Sequence, residues 1–215
     1  FPATGSFDLA ANAHGMLLVH NDDIVDAGAG FDTHQHRDAE IVTWVVEGAL
    51  HHRDSQGSEG VLTPGVVQRM SAGSGIRHSE RNASTRAENQ RLRVVQMWIA
   101  PEYSGGTPSY AEASVNEALA DGGLVTIVSG LDRDAGGQAL SVGNSYVALH
   151  AARLGIGDGL ARGDLGPELR RLARAVLRES TPKSLAGPPP QPLIEEAMTC
   201  PKSSPESCSS MNPKP

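Results

Sequence analysis

Apolar and polar positions alternate in short runs along the first 150 residues of the chain. The run at 40–46 (EIVTWVV) is rich in β-branched and aromatic residues, and the run at 91–100 (RLRVVQMWIA) alternates enough for a half-buried strand. Six further runs lie at 16–19, 49–53, 60–63, 66–70, 124–128 and 145–152. The first of these is expected to end at the polar segment Asn21–Asp22–Asp23. Short strands separated by Gly and Pro turns are typical of sandwiches and barrels, so the pattern predicts an all-β fold.

The C-terminal part of the chain has a different pattern. Apolar residues recur at helical spacing between Gly166 and Arg178, which predicts an amphipathic helix with an arginine-rich face over 159–180. This helix either docks on its own domain or binds a partner or a membrane surface. From Thr181 onward the chain is rich in Pro and Ser. That composition predicts a disordered, low-complexity tail over 181–215, because it offers little apolar surface to bury.

Composition divides the chain at the same place and excludes several classes of protein. All eight aromatic residues lie before residue 147, whereas nine of the 14 prolines lie after residue 180. The formal net charge of −7 disfavours direct binding of nucleic acid. No apolar run approaches the roughly 20 residues of a membrane-spanning helix. Cys200 and Cys208, the two cysteines, lie near the C-terminus, so a thiolate metal site in the main body is excluded. The N-terminus has no signal-peptide features, and we expect a cytoplasmic protein.

Two short motifs carry candidate metal ligands. In Thr33–His34–Gln35–His36, the alternation of a strand turns the two imidazoles to one face. The same alternation relates His78 and Glu80 in the segment 73–80 (GSGIRHSE). If two strands of one barrel bring these pairs together, three imidazoles and one carboxylate meet, which favours a divalent first-row metal with open coordination positions. The alternatives are a structural zinc site, which would be unusual without cysteine, and ordinary surface or core histidines.

Other polar residues near these motifs have two interpretations each. Glu40 lies four residues after His36 and is either a further ligand or a structural group; we favour the structural role if Glu80 is the ligand. His52 and Asp54 either fix the orientation of a ligand imidazole or lie in a surface loop.

The remaining candidates are expected to be structural. Gly73 and Gly75 are expected to allow positive φ in the turn that precedes His78. The large apolar residues expected in the core are Trp44, Met70, Met97 and Trp98. No function is predicted for His14, His20 and His150.

The span 30–82 resembles the N-terminal cupin domain of the pirin family. The likeness is carried by THQHRDAEIVTWVVEGAL, HRDS and GVLTPGVVQRMSAGSGIRHSE, and further on by VVQMWIAP and the PSY of 108–110. The resemblance implies a cupin fold, a double-stranded β-helix or jelly-roll barrel, with two barrels of which only the first holds metal. We therefore expect the first barrel over 1–130 and the start of an incomplete second one over 131–158. The metal implied is Fe(II), on His34, His36, His78 and Glu80, although other divalent first-row metals also suit these donors.

The same resemblance implies a function. Bacterial pirins are similar to quercetin 2,3-dioxygenases, which open a flavonol ring with O₂ and release carbon monoxide, whereas mammalian members look like iron-dependent nuclear co-regulators. We predict a ring-cleaving dioxygenase in which Glu80 is both a ligand and the catalytic proton acceptor. One alternative is a non-catalytic iron protein whose redox state is sensed by a protein partner. The other is an inactive, truncated homologue whose barrel exposes apolar surface and tends to dimerise.

Overall fold

The computed structural model describes residues 13–155 and, in addition, the backbone of 177–178. Almost all regular structure in these residues is strand, with a single 3-10 helix at Asp132–Asp134. The predicted all-β class is therefore confirmed for the described part of the chain. None of its helices has the length and apolar character that crossing a bilayer requires.

Nine strands form two antiparallel sheets. In chain order they are β1 (Leu17–Val25), β2 (Gly30–His36), β3 (Glu40–Glu47), β4 (Leu50–Asp54), β5 (Glu59–Leu62), β6 (Val66–Ser71), β7 (Ile76–Asn82), β8 (Leu92–Ile99) and β9 (Ser109–Ser114). The larger sheet has the order β1-β8-β3-β6-β9, and the smaller has the order β2-β7-β4-β5. The sheets face each other, because side chains of β6 and β8 form hydrogen bonds to side chains of β4 and β7. The surfaces between them are called the inner face below.

The central strand β3 shows why the larger sheet has two buried faces. Its apolar residues are nearly continuous, as expected of a strand covered on both sides. Ile41 packs with Met70 on the inner face, whereas Trp44 packs with Met97 on the outer face. Trp98 contacts the inner cluster but is only half-buried. The core prediction is thus confirmed for Trp44, Met70 and Met97, and Trp98 lies at the edge of the core.

The segment that follows β9 covers the outer face of the larger sheet. Its strands are β10 (Val125–Ser129), β11 (Leu140–Ser141) and β12 (Ala148–Ala151), which form a sheet of order β11-β10-β12. Val128, Val147 and Ala151 pack in one cluster with Val42 and Val67 of the larger sheet. The chain therefore covers this face itself, whereas the truncated-homologue alternative expected the barrel to expose apolar surface.

Strands β1 and β9 differ from the sequence prediction. β1 does not end at Asn21–Asp22–Asp23 but continues to Val25, because this edge strand pairs with β8 over its whole length. Asp22 also accepts two hydrogen bonds from the Arg93 guanidinium, at 2.8 and 2.6 Å, which satisfies its charge within the strand. β9 was not predicted as a strand; it pairs with β6 at the opposite edge of the sheet, where small and polar residues are tolerated.

The C-terminal predictions fall largely outside the described residues. This holds for the tail over 181–215 and for the helix over 159–180 except at two positions. Those two form the strand β14 (Leu177–Arg178), whose backbone pairs in parallel with β13 (Arg153–Leu154). The helical prediction is wrong for these two residues, because they have extended backbone. The division into a first barrel over 1–130 and an incomplete second over 131–158 stays a prediction.

The turn before β7 needs glycine, as expected. Gly73 has φ +48° and Gly75 has φ +143°, in the region that side-chain-bearing residues rarely adopt. At Gly73 a Cβ would also overlap the backbone oxygen of Gly106. This turn sets the start of the strand that carries His78.

We expect Gly73→Ala to lower the free energy of unfolding by at least about 1–3 kcal/mol, because it combines backbone strain with a backbone clash. Urea unfolding of the purified variant measures this loss. Gly57→Ala is the matched control: Gly57 has φ +97°, but no atom of the described residues lies within 4 Å of the Cβ that alanine would add. Equal losses in the two variants would contradict the role of the close approach.

Candidate metal centre

The neighbouring strands β2 and β7 bring the two histidine motifs together. His34 and His78 are direct partners across this antiparallel pair. Strand alternation then turns His36 and Glu80 to the same inner face. The structure thus brings the two motifs together on adjacent strands of one sheet.

Three imidazole rings converge on this face. The ring centroids lie 4.4 Å apart for His34 and His78, 4.7 Å for His34 and His36, and 4.9 Å for His36 and His78. One ring nitrogen of each histidine lies within 4.8 Å of the others, so the three could hold one ion.

The ring nitrogens of this cluster are short of hydrogen-bond partners. Nε2 of His36 and both ring nitrogens of His78 are buried and have no partner within the described part of the chain. Buried polar atoms are nearly always satisfied, so these exceptions require an explanation, and a metal cation would provide one. Nδ1 of His34 lies 2.7 Å from the carbonyl oxygen of Asp32, which can only accept. Nδ1 therefore carries the proton, and Nε2 keeps a lone pair for a metal.

Burial keeps the imidazoles of His36 and His78 neutral. Burial, with a smaller effect from His34, lowers the pKa of His36 to about 4. Burial and the neighbouring histidines lower the pKa of His78 to about 2. Both rings are therefore uncharged at neutral pH, which is the form that binds a metal.

Glu80 lies beside this cluster on β7 and is buried. Its ligand atom belongs to a second set of neighbours, with His78 and His52, rather than to the three-histidine set. Burial raises the pKa of Glu80, and a hydrogen bond from Gln96 opposes that effect. His78 is common to both sets, so the carboxylate adjoins the histidine cluster through this ring.

His52 and Asp54 are buried on the inner face, so the surface-loop interpretation is wrong. Gln68 Nε2 lies 3.3 Å from Nδ1 of His52, and Asp54 Oδ2 lies 3.5 Å from its Nε2. The His52 ring lies 5.4 Å from the ring of His78. Unlike His78, His52 has partners for both nitrogens, which suits a residue that supports the cluster.

Glu40 takes no part in the cluster. Thr43 reaches Glu80 on the inner face, so alternation along β3 places Glu40 on the outer face. There its carboxylate accepts a hydrogen bond of 2.7 Å from the hydroxyl of Ser71. This position supports the structural role favoured for Glu40.

Sequence reasoning missed three inner-face residues that contact the site. Thr43 and Gln96 form hydrogen bonds to Glu80, and Gln68 contacts His52. A usable signal was present for two of them: Thr43 and Gln96 each lie between apolar neighbours in a strand, and a buried polar group needs a partner.

Two facing antiparallel sheets with a histidine cluster on the inner face define a β-barrel protein of the cupin type. Residues 2–99 match the family model described as Pirin. This N-terminal part of the chain is therefore a pirin-family domain, as its motifs suggested.

Named relatives agree with this assignment. The chain is 51% identical over 142 residues to a Mycobacterium tuberculosis protein named "Putative quercetin 2,3-dioxygenase", a match covering 66% of this chain and 56% of that protein. It is 50% identical over 96 residues to "Quercetin 2,3-dioxygenase" of Escherichia coli, covering 45% and 40%. Among solved structures it is similar to the Escherichia coli pirin YhhW in complex with nickel(II), at 42% identity and a TM-score of 0.52, covering 60% of this chain and 51% of that one. The chain thus spans about half the length of these relatives.

Proposed function

We propose that the chain is a metal-dependent dioxygenase that opens the ring of a flavonol such as quercetin with O₂. In this proposal Fe(II) is held by His34, His36, His78 and Glu80. The observation that carries it is the convergence of three imidazoles beside a buried carboxylate. Two of these rings, His36 and His78, are neutral and have buried nitrogens without a partner among the described residues. Relatives named quercetin 2,3-dioxygenase support the choice of reaction.

The donor set suits a divalent first-row metal. When bound, such an ion lowers the pKa of a hydroxyl group coordinated to it and provides a place for O₂ to react. The chain's own contribution is to present the lone pairs of His34 Nε2 and His36 Nε2, together with one ring nitrogen of His78. The Trp98 ring packs edge-on against His36, with 4.7 Å between centroids, and shields that side of the cluster.

Glu80 accepts the proton in this mechanism. The proton moves from the 3-hydroxyl oxygen of the flavonol to a carboxylate oxygen of Glu80, and the substrate is left as the more electron-rich anion. The carboxylate is suited to this step because burial raises its pKa, which improves it as a base. It also adjoins His78, so a substrate held at the cluster lies near it.

The test is quercetin turnover by the full chain, purified without oxygen and loaded with Fe(II). The expected result is consumption of one O₂ and release of one carbon monoxide per quercetin. Metal binding with neither consumption of O₂ nor release of carbon monoxide would contradict the proposal and favour the non-catalytic iron protein. The His34→Ala/His78→Ala double variant, treated identically, controls for reaction of quercetin with free iron.

A further inference from the structure

A chain of hydrogen bonds links the edge of the core to Glu80. Trp98 Nε1 donates to Gln96 Oε1 at 2.9 Å, and Gln96 Nε2 donates to Glu80 Oε2 at 2.9 Å. Trp98 and Gln96 both lie on β8, two residues apart, so both side chains point to the inner face. Glu80 lies on β7 of the facing sheet, so this chain of bonds spans the two sheets.

The Trp98 indole determines the direction of every hydrogen bond in this series. An indole N–H can only donate, so the Gln96 oxygen must face Trp98. The Gln96 amide nitrogen then has to face the opposite way, toward Glu80. The usual ambiguity between the oxygen and nitrogen of a glutamine side chain is therefore removed here.

Thr43 extends the same set of bonds to the other carboxylate oxygen. Gln96 Nε2 lies 3.2 Å from Thr43 Oγ1, and the Thr43 hydroxyl lies 3.5 Å from Glu80 Oε1. Gln96 uses one amide hydrogen for Thr43, so the threonine hydroxyl is left to donate to Glu80. Both carboxylate oxygens thus have a donor from the larger sheet, and lone pairs remain on each for a metal.

We propose that Gln96 is a positioning residue for Glu80, and that Trp98 holds Gln96 in the orientation this requires. The inference rests on the proposed metal centre, in which Glu80 is a ligand. Partners that orient metal ligands commonly matter for affinity almost as much as the ligands themselves. Trp98 acts on two predicted ligands at once, because its ring also packs against His36.

The test uses cobalt(II), whose visible absorption reports both binding and ligand geometry. Gln96→Leu in the full chain is expected to weaken Co²⁺ affinity by about 10- to 100-fold. Trp98→Phe is expected to weaken it in the same direction, because phenylalanine keeps the ring packing against His36 but lacks the N–H group. In both variants the absorption bands of bound Co²⁺ should shift toward those of Glu80→Gln.

Trp44→Phe is the matched control. Trp44 lies on the neighbouring strand β3, but its ring is buried in the outer-face core. Trp44→Phe should therefore leave Co²⁺ affinity and absorption unchanged. If the effect of Trp98→Phe came from a general loosening of the sheet, Trp44→Phe would change them as well. If Gln96→Leu does not fold, Trp98→Phe decides the question.

Wild-type affinity and wild-type absorption in Gln96→Leu and Trp98→Phe would overturn the inference. Failure of the dioxygenase proposal can be distinguished from failure of this inference. A wild-type chain that bound Co²⁺ but left quercetin intact would contradict only the proposed dioxygenase activity. A wild-type chain that bound no Co²⁺ would overturn both.

Discussion

Replacing His78 by leucine is expected to stabilise the metal-free protein while abolishing metal binding. Both ring nitrogens of His78 are buried and lack a hydrogen-bond partner among residues 13–155. Each such atom costs about 1–3 kcal/mol, and leucine fills a similar volume without any polar atom. The free energy of unfolding of the metal-free chain should therefore rise by about 1–3 kcal/mol or more. Such a gain indicates a site that is built for a ligand rather than for stability.

Urea unfolding in the presence of a chelator measures this gain, and elemental analysis measures the lost metal. His52→Leu is the matched control, since His52 is equally buried but its nitrogens face Gln68 and Asp54. That variant should lose stability, because it leaves two buried polar partners unsatisfied. A destabilised His78→Leu variant, or one that retained its metal, would contradict the assignment of His78.

Glu80→Gln is expected to lower the turnover of quercetin by about 10²–10⁴-fold, the usual contribution of a positioned general base. The amide has almost the same shape as the carboxylate, but it cannot accept the proton of the 3-hydroxyl group. Oxygen uptake at saturating iron and quercetin measures this loss.

Glu40→Gln separates the lost base from the effects of altering a buried glutamate. Glu40 is buried as well, but it lies on the outer face of the larger sheet, where it accepts a hydrogen bond from Ser71. An amide oxygen can accept the same bond, so turnover should stay near the wild-type rate. The role of Glu80 would be disproved by a Glu80→Gln variant that kept its metal and turned over quercetin as fast as the wild type.

The strands that sequence patterns predicted well are those with apolar residues on a buried face. β3 and β8 lie at the centre of the larger sheet, so their runs of β-branched and aromatic residues were sufficient. The edge strands β1 and β9 were harder, because an edge exposes polar side chains that are also typical of turns. The extension of β1 depends on Arg93, which pairs with Asp22 from a strand far along the chain.

The histidine pairs could be predicted because alternation along a strand is a local property. His34 and His36 share a face whatever the rest of the fold, and so do His78 and Glu80. The contacts of Gln96 with Glu80 could not be predicted in the same way, because they depend on how the two sheets lie over each other. The same is true of His52, whose partner Gln68 belongs to the opposite sheet.

The metal content of the full chain tests the central claim most directly. The chain would be purified without oxygen and analysed for transition metals, alongside the His34→Ala/His78→Ala double variant. A single inner-face site on His34, His36, His78 and Glu80 predicts close to one ion per wild-type chain and none in the double variant. A folded wild-type chain that takes up no metal, or a double variant that keeps it, would contradict the claim.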